Sequence, residues 1–449
     1  MSALDVEGKR IVVVGLGASG VAAARLCLRR GARVIANDSK PFGALSDAAR
    51  ALADLGAEVI AGDHDSARLT EADAIVVSPG VPPLSQVKAA MERGVLVVGE
   101  IELATQLLAH PAPVVAIGGT NGKSTTTSLV GAMLVAQGNR TFVGGNLGEP
   151  LADHADEVFD VIVLEVSSFQ LEHVYRFHPT VCALLNVTDD HLDRYANIDE
   201  YAHAKGNAFV QQIEQDWAVL PVGDPLCEGQ ARRGRARRVT FGAGGDVNVT
   251  SDTITESGLG VAFPRREIAL TGDHNAKNVA AAIACVRPFR LEASIISQVL
   301  RDFAGLPHRT SFVAEVRGVR FYDDSKGTNV GASVAALEGM REPRVVLIAG
   351  GRDKGGSYSP LAESLSRKGR AVIVMGEAAD AISRAVGHLL PVCKADTMDE
   401  AVRLSASIAN AGDAVLLSPA CSSYDMFRDY KHRGDEFARA ARALAGDKS

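Results

Sequence analysis

The stretch AIGGTNGKSTTTS, residues 116–128, decides how the chain is to be read. It follows the apolar run VVAI and leads into STTTSLVGAMLV, which has the pattern of a helix. Strand, glycine-rich loop and helix is the setting in which backbone N–H groups and a helix N-terminus cradle phosphate. The strict pattern for such a loop is G-x-x-x-x-G-K-[ST]. Here Gly122, Lys123 and Ser124 supply the end, but the position six before the lysine is Ile117, and Gly118 sits one residue too close. The stretch is therefore a degenerate ATP loop, a chance glycine cluster, or the loop of a family with its own spacing.

Working outward, the 449 residues are too many for one ordinary core and suggest about three domains. A hydrophobic fraction of 47% and a charged fraction of 22% are those of a globular protein. The net charge of −7 speaks against non-specific attraction to nucleic acid or anionic membrane. Six scattered cysteines with no C-x-x-C pair argue against a zinc ribbon, a disulfide framework or a dithiol redox site. The start, MSALDVEGKR, lacks a signal peptide's apolar region, and no apolar run is long enough to span a membrane. We expect a soluble, cytoplasmic protein without a nucleic-acid partner. The arginine run 231–238 has no interleaved aromatics for base stacking and reads as a solvated loop.

The chain repeats one grammar three times. IVVVG (11–15), RVIAND (33–38), AIVVSPG (74–80) and VLVVGE (95–100) are continuous β-branched runs, as in strands buried on both faces of a parallel sheet. After the join HPAPV (110–114), a second block has VVAIGG (114–119), DVIVLEVS (160–167) and TVCALLNVT (180–188). Short strands from 237–242 to 266–272 predict a small antiparallel sheet, and 275–286 a buried helix. A third block opens with a hairpin over 313–325, turning at Arg317 and Gly318, and continues with runs at 344–351, 371–376 and 414–420. The expected fold is α/β with three domains: residues 1–99 Rossmann-like, 100–305 like a P-loop ATPase, and 306–449 again Rossmann-like.

The first block carries GLGASG (15–20), a G-x-G-x-x-G directly after a strand, with Asp38 ending the next strand. By itself that fits an NAD-dependent oxidoreductase. In the second block Lys123 would set a positive charge on the β/γ-phosphates, and the Ser124 hydroxyl could ligate Mg²⁺. Glu165 ends a strand, and NVTDDHLD (186–193) crowds Asp189, Asp190, His191 and Asp193 at another. Lysine and serine, glutamate, and aspartate with histidine thus come from three strand ends, the edge at which sites form in parallel sheets. The oxidoreductase reading leaves Lys123, Glu165 and His191 unused. A non-catalytic nucleotide sensor would have no need of the metal constellation. In the third block DDSKGTN (323–329), GGRDKGG (350–356) and SPACSSYD (418–425) could hold an anion or clamp a nucleotide.

With these residues assembled, the chain resembles the Mur ligases, ATP-dependent amide-forming enzymes of peptidoglycan precursor synthesis. Their phosphate loop has the form G-T-N-G-K-[ST], as in residues 119–124 here, and does not keep the strict count. The resemblance runs over essentially the whole chain. LEVSSFQLE (164–172), GLGASG and SPACSSYDMFRDYKHRG (418–434) resemble the D-glutamate-adding branch. It implies that the first domain holds the UDP part of UDP-MurNAc-L-alanine, not NAD. Gly17, Ala18 and Ser19 would face the pyrophosphate, with Asp38, Ser39, Lys40, Gly80 and Asn146 completing that site. ATP would be held by Gly119, Thr120, Asn121, Gly122, Lys123, Ser124 and Thr125, together with Asn275, Asn278, His308, Arg309, Asp324 and Lys326. Mg²⁺, at two sites, would engage Ser124, Glu165, His191 and Lys205, the lysine being carbamylated. Thr328, Lys354, Ser423, Tyr424 and Tyr430 would surround the incoming D-glutamate. The implied catalytic residues are Lys123, Glu165, His191 and Lys205, acting through an acyl phosphate in a monomer.

Overall fold

The structure, a computed structural model, describes residues 4–191, 194–258, 260–353 and 355–446. They form two compact units. The first holds residues 1–187, 199–263 and 278–299; the second holds 188–198, 264–277 and 300–449.

Two sheets build the first unit. One has five parallel strands, ordered Glu58–Ala61, Arg33–Asp38, Arg10–Val14, Ala74–Val77 and Leu96–Gly99. The order reverses at Arg10–Val14, which opens a crevice at the carboxyl ends of that strand and of Ala74–Val77. Val12, Val14, Ile75, Val77 and Val97 pack one face. The helix Ala18–Arg29 leaves this edge and stops where Gly31 takes φ 78°, as its sequence predicts.

The other sheet has nine strands, in the order Val261–Pro264, Thr253–Glu256, Val247–Val249, Arg237–Gly242, Trp217–Pro221, Val181–Leu184, Val114–Gly118, Val161–Glu165 and Thr141–Gly145. From Val247–Val249 to Thr141–Gly145 neighbouring strands are parallel. Val247–Val249 and Thr253–Glu256 pair antiparallel, so the antiparallel strands extend the parallel sheet at its edge. One expected strand is not formed. Residues 265–267 make a 3-10 turn, and the Ala269 N–H is taken by the carbonyl of Leu300 at 2.9 Å, leaving 266–272 without a ladder. Ion pairs join the two sheets' layers: Asp156 meets Arg29 at 2.8 Å and Arg30 at 2.7 Å. Buried Glu102 accepts from the N–H groups of Arg176 at 2.8 Å and Phe177 at 2.9 Å.

The second unit is built on six strands, ordered Ser311–Val316, Val319–Asp323, Ala414–Leu417, Val345–Gly350, Gly369–Met375 and Val392–Lys394. The first two are the predicted hairpin, with Arg317 at φ 52° and Gly318 at φ 78°; the rest are parallel. Alternate residues bury opposite faces. Leu347, Val372, Val374 and Leu416 pack on Leu361, Leu365 and Ile382; Val346, Ile348, Ile373 and Val415 pack on Val402 and Phe437. Two-sided burial explains why these strands read as unbroken apolar runs.

Candidate active site

The phosphate loop emerges between two neighbours. Ile117 pairs with Glu165 on one side and Ala183 on the other, so three strand ends meet at one edge, as predicted. The loop turns through Gly119 at φ 144° and Gly122 at φ 86°, values open to glycine. A Cβ on Gly122 would lie 2.3 Å from Asn278 Oδ1, so a side chain there would have to displace that amide. Asn186 pins the loop. Its Oδ1 accepts the Asn121 N–H at 2.9 Å, its Nδ2 donates to the Asn121 carbonyl at 3.0 Å, and its own carbonyl accepts the Thr120 N–H at 3.0 Å. Sequence reasoning passed over Asn186, although it lies in the quoted 186–193 stretch.

Lys123 and Ser124 open the helix Lys123–Ala136, whose N-cap is Gly122. Its first N–H groups have no partners within the helix and make a positive end suited to phosphate. Lys123 Nζ donates to the carbonyls of Gly119 and Thr120, both at 2.8 Å. Lys205, on the helix Ile198–Gly206, is 3% exposed, donates to the Gly119 carbonyl at 3.0 Å and lies 4.3 Å from the Tyr201 ring centre. Ser124, Thr125 and Glu165 are buried. Asn146, expected on the UDP side, donates to Glu165 Oε1 at 2.6 Å, which places it beside the phosphate loop's neighbouring strand.

At the first sheet, Asp38 is occupied by backbone: its two oxygens accept from Leu16 N–H at 2.8 Å and Lys40 N–H at 2.9 Å. Gly17 is the N-cap of Ala18–Arg29, and a Cβ there would meet nothing, so a ligand can approach its backbone. A cavity of about 470 Å³ is walled by Gly17, Ala18, Asp38, Lys40, Arg25 and Asp153 among others. Ser19, Ser39 and Gly80 are not part of that wall.

In the second unit His308 Nδ1 and Asp323 Oδ2 are 2.6 Å apart, and Lys326 Nζ stands 4.0 Å from the Tyr430 ring centre. Asp324 accepts from Ser418 Oγ at 2.6 Å and from Thr310 N–H at 3.1 Å; burial pushes its carboxyl up to about 7. Arg433, quoted in the sequence but given no role, is 1% exposed. It donates to Ser325 Oγ at 3.0 Å, Ser325 O at 2.9 Å and Cys421 O at 3.2 Å, and burial holds it down at about 10. A cavity of about 280 Å³ is walled by Asp189, Asp190, Asn329, Asp353, Tyr358 and Ala420 among others. His191 adjoins it in sequence, with φ 56°. Thr328 precedes Asn329; Ser423 is buried and Tyr424 exposed. Asn275 lies in this unit and Asn278 in the first, although one helix, Asp273–Val286, carries both. Arg309 follows His308. Lys354 and Asp193 lie outside the described residues.

Among the described residues no three His, Cys, Asp or Glu side chains form a cluster able to hold a metal alone. A buried hydroxyl at Ser124 and a buried carboxylate at Glu165, on adjacent elements, still fit Mg²⁺, which keeps several waters and takes phosphate oxygens as ligands.

Comparison with known proteins agrees with this arrangement. Residues 9–99 match the family model "Mur ligase MurD-like, N-terminal domain", 117–286 the Mur ligase middle domain, and 308–421 the Mur ligase glutamate ligase domain. The chain is 43% identical over 452 residues to a UDP-N-acetylmuramoylalanine--D-glutamate ligase of Geobacter metallireducens, covering 98% of this chain and 99% of that protein. It is 45% identical over 462 residues to a protein of that name from Anaeromyxobacter dehalogenans, covering 98% and 99%. Among solved structures, the MurF ligase of Thermotoga maritima in complex with ADP superposes with a TM-score of 0.64 at 18% identity, covering 99% of this chain and 97% of that one. UDP-N-acetylmuramate-alanine ligase MurC of the same organism gives 0.62 at 19% identity, covering 97% and 99%. The three family models together span most of the chain, and the chain belongs to the Mur ligase family.

Proposed function

We propose that this chain is the ATP-dependent amide ligase that adds D-glutamate to UDP-N-acetylmuramoyl-L-alanine, releasing ADP and phosphate, in peptidoglycan precursor synthesis. The observation that carries the reading is near-full-length likeness to D-glutamate ligases in a chain whose phosphate loop, Lys123 and Glu165 meet at one sheet edge. We place the work in the cytoplasm, in a monomer, with domains divided near residues 99 and 305.

Each domain has a separate task. The crevice beside Gly17, Ala18 and Ser19, with Asp38, Ser39, Lys40 and Gly80, takes the UDP group. Backbone N–H groups of residues 119–125 take the ATP phosphates, and Lys123 moves from its loop carbonyls onto the terminal phosphates. Asn275, Asn278, His308, Arg309, Asp324 and Lys326 orient the rest of the nucleotide. Asn146 completes the UDP-substrate site while its amide donates to Glu165 at 2.6 Å.

The substrate carboxylate attacks the γ-phosphorus, the bond to the bridging oxygen breaks, and ADP leaves. The amine of D-glutamate then attacks the acyl phosphate carbonyl and loses a proton, and phosphate departs with its oxygen. Lys123 offsets the charge that builds on the transferred group. Mg²⁺, at two sites near Ser124, Glu165 and His191, supplies further charge neutralisation when bound. A carbamylated Lys205 would present a carboxylate-like group there in place of an ammonium. Thr328, Lys354, Ser423, Tyr424 and Tyr430 receive D-glutamate, whose two carboxylates need donors.

The test is phosphate release by the purified protein with ATP, Mg²⁺, UDP-MurNAc-L-alanine and D-glutamate. Release that needs both substrates supports the reading; release indifferent to D-glutamate, or none, defeats it.

A further inference from the structure

Asn329 stands at the N-cap of the helix Val330–Gly339 and is 8% exposed. Its carboxamide faces two ways. Oδ1 accepts the Ala332 N–H at 2.8 Å, and Nδ2 donates to Asp190 Oδ2 at 3.1 Å. Asp190 is 9% exposed; its Oδ1 accepts the His191 N–H at 3.0 Å, and its carboxylate lies 3.7 Å from His191 Nε2. His191 has a backbone φ of 56°, a left-handed conformation that costs a non-glycine residue energy and needs its surroundings to hold it.

The strand Val181–Leu184 belongs to the second sheet, yet the segment 188–198 that follows it is part of the compact unit built on the third sheet. Asp190 and Asn329 line the same cavity of about 280 Å³, with Asp353 and Tyr358 on its wall. A carboxamide is the group that serves both ends of this link. Serine or aspartate could cap the helix equally well. Serine, one bond shorter, has a single hydroxyl in place of the amide's separate acceptor and donor and does not span both partners, and aspartate would set a like charge against the carboxylate.

We propose that Asn329 is a positioning residue for the amide-forming reaction. By holding Asp190 it fixes the strained backbone of His191, so that the metal-supporting histidine and the wall of the cavity beside Thr328 are carried as one piece with the third domain. The role of His191 rests on the ligase reading; the link from Asn329 to Asp190 rests on geometry alone.

Asn329→Ser and Asn329→Asp both keep an oxygen for the cap; Asn329→Ser should melt close to the unaltered protein, and Asn329→Asp lower, because its carboxylate faces that of buried Asp190. Each is expected to lower kcat by about 10–100-fold, the usual effect of losing a group that orients a metal ligand. Amides in 188–198 should exchange hydrogen faster in the nucleotide-free variants, while the helix Val330–Gly339 keeps its protection. The exchanged pair Asn329→Asp with Asp190→Asn restores one amide and one carboxylate and should recover turnover relative to Asn329→Asp alone. Unchanged exchange in 188–198 overturns the proposal whatever kcat does, and so does a double variant no better than the single. Should Asn329→Asp not fold, Asn329→Ser with the exchange measurement decides alone. If the unaltered protein fails to release phosphate in response to D-glutamate, the ligase reading falls, and the exchange result still judges the link.

Discussion

Lys123 and Lys205 share one acceptor: the carbonyl oxygen of Gly119 receives Lys123 Nζ at 2.8 Å and Lys205 Nζ at 3.0 Å. Two ammonium groups converging on one buried oxygen repel each other and each pays desolvation. Converting the Lys205 amine to a carbamate would turn that repulsion into attraction. We therefore expect protein purified with ¹³C-bicarbonate to show a carbamate carbon by NMR, absent from Lys205→Ala. Exhaustive removal of CO₂ should lower activity, and bicarbonate should restore it. No signal and no CO₂ dependence would mean that Lys205 works as a plain ammonium.

Lys123 is the one of the pair at a helix N-terminus, placed to follow a phosphate. Lys123→Ala should cut phosphate release by about 10²–10³-fold or more, the scale of removing one preorganised charge partner. Calorimetric binding of the UDP substrate should be unchanged, because the Gly17 crevice belongs to a separate sheet. Loss of both would overturn the assignment of substrates to domains.

Gly122 has φ 86°, and a Cβ there would push against Asn278 Oδ1. Gly122→Ala should cost roughly 1–3 kcal/mol of stability through backbone strain. It should also weaken ATP binding more than UDP-substrate binding. Equal weakening of the two would point to general unfolding.

Glu100, the first residue of the helix Glu100–Gln106, is 1% exposed. Its Oε1 accepts the Ala152 N–H at 2.8 Å, while Oε2 has no hydrogen-bond partner. Burial pushes its carboxyl up to about 7 from the ordinary 4.5, and the charge of Asp153 adds to the effect. The folded protein thus keeps a proton that the unfolded chain releases. This group's contribution to stability is full below about pH 4.5 and is lost as pH rises through about 7. Glu100→Gln cannot lose the proton, so by pH 8 it should be the more stable by an amount on the order of a few kcal/mol. A flat difference across that window, measured by urea unfolding, would contradict the burial argument.

Arg433 ties the loops at Ser325 and Cys421 to the C-terminal helix Tyr430–Gly446. Arg433→Met would leave three buried acceptors short of a donor and should cost roughly 3 kcal/mol. Arg433→Lys should recover little, since a single ammonium cannot span acceptors set for a planar fork. Full recovery by lysine would show that charge alone matters.

Much of this molecule was legible in local pattern. The runs VVAI, VIVL and VCAL form strands because both faces of the sheet are buried, and the turn at Arg317 and Gly318 lies where the hairpin pattern put it. Strands with weaker signals escaped. Glu58–Ala61 and Val392–Lys394 are short edge strands, and Thr141–Gly145 ends in two glycines. The run at 266–272 looked like a strand, but its backbone finds a partner in Leu300 instead.

By itself, then, the sequence determined the three α/β blocks, the phosphate loop with Lys123 and Ser124, and the strand-end position of Glu165. Those features are set by side-chain periodicity and by glycine's access to positive φ, which act within a few residues. Only the tertiary structure decided that Val114–Gly118 lies between Val161–Glu165 and Val181–Leu184. It alone set Asn186 on the loop, Asn146 on Glu165, Arg433 on Ser325 and Asn329 on Asp190. Strand order in a parallel sheet follows from how crossover helices pack, and a buried polar group takes whatever partner that packing brings, however distant in the chain.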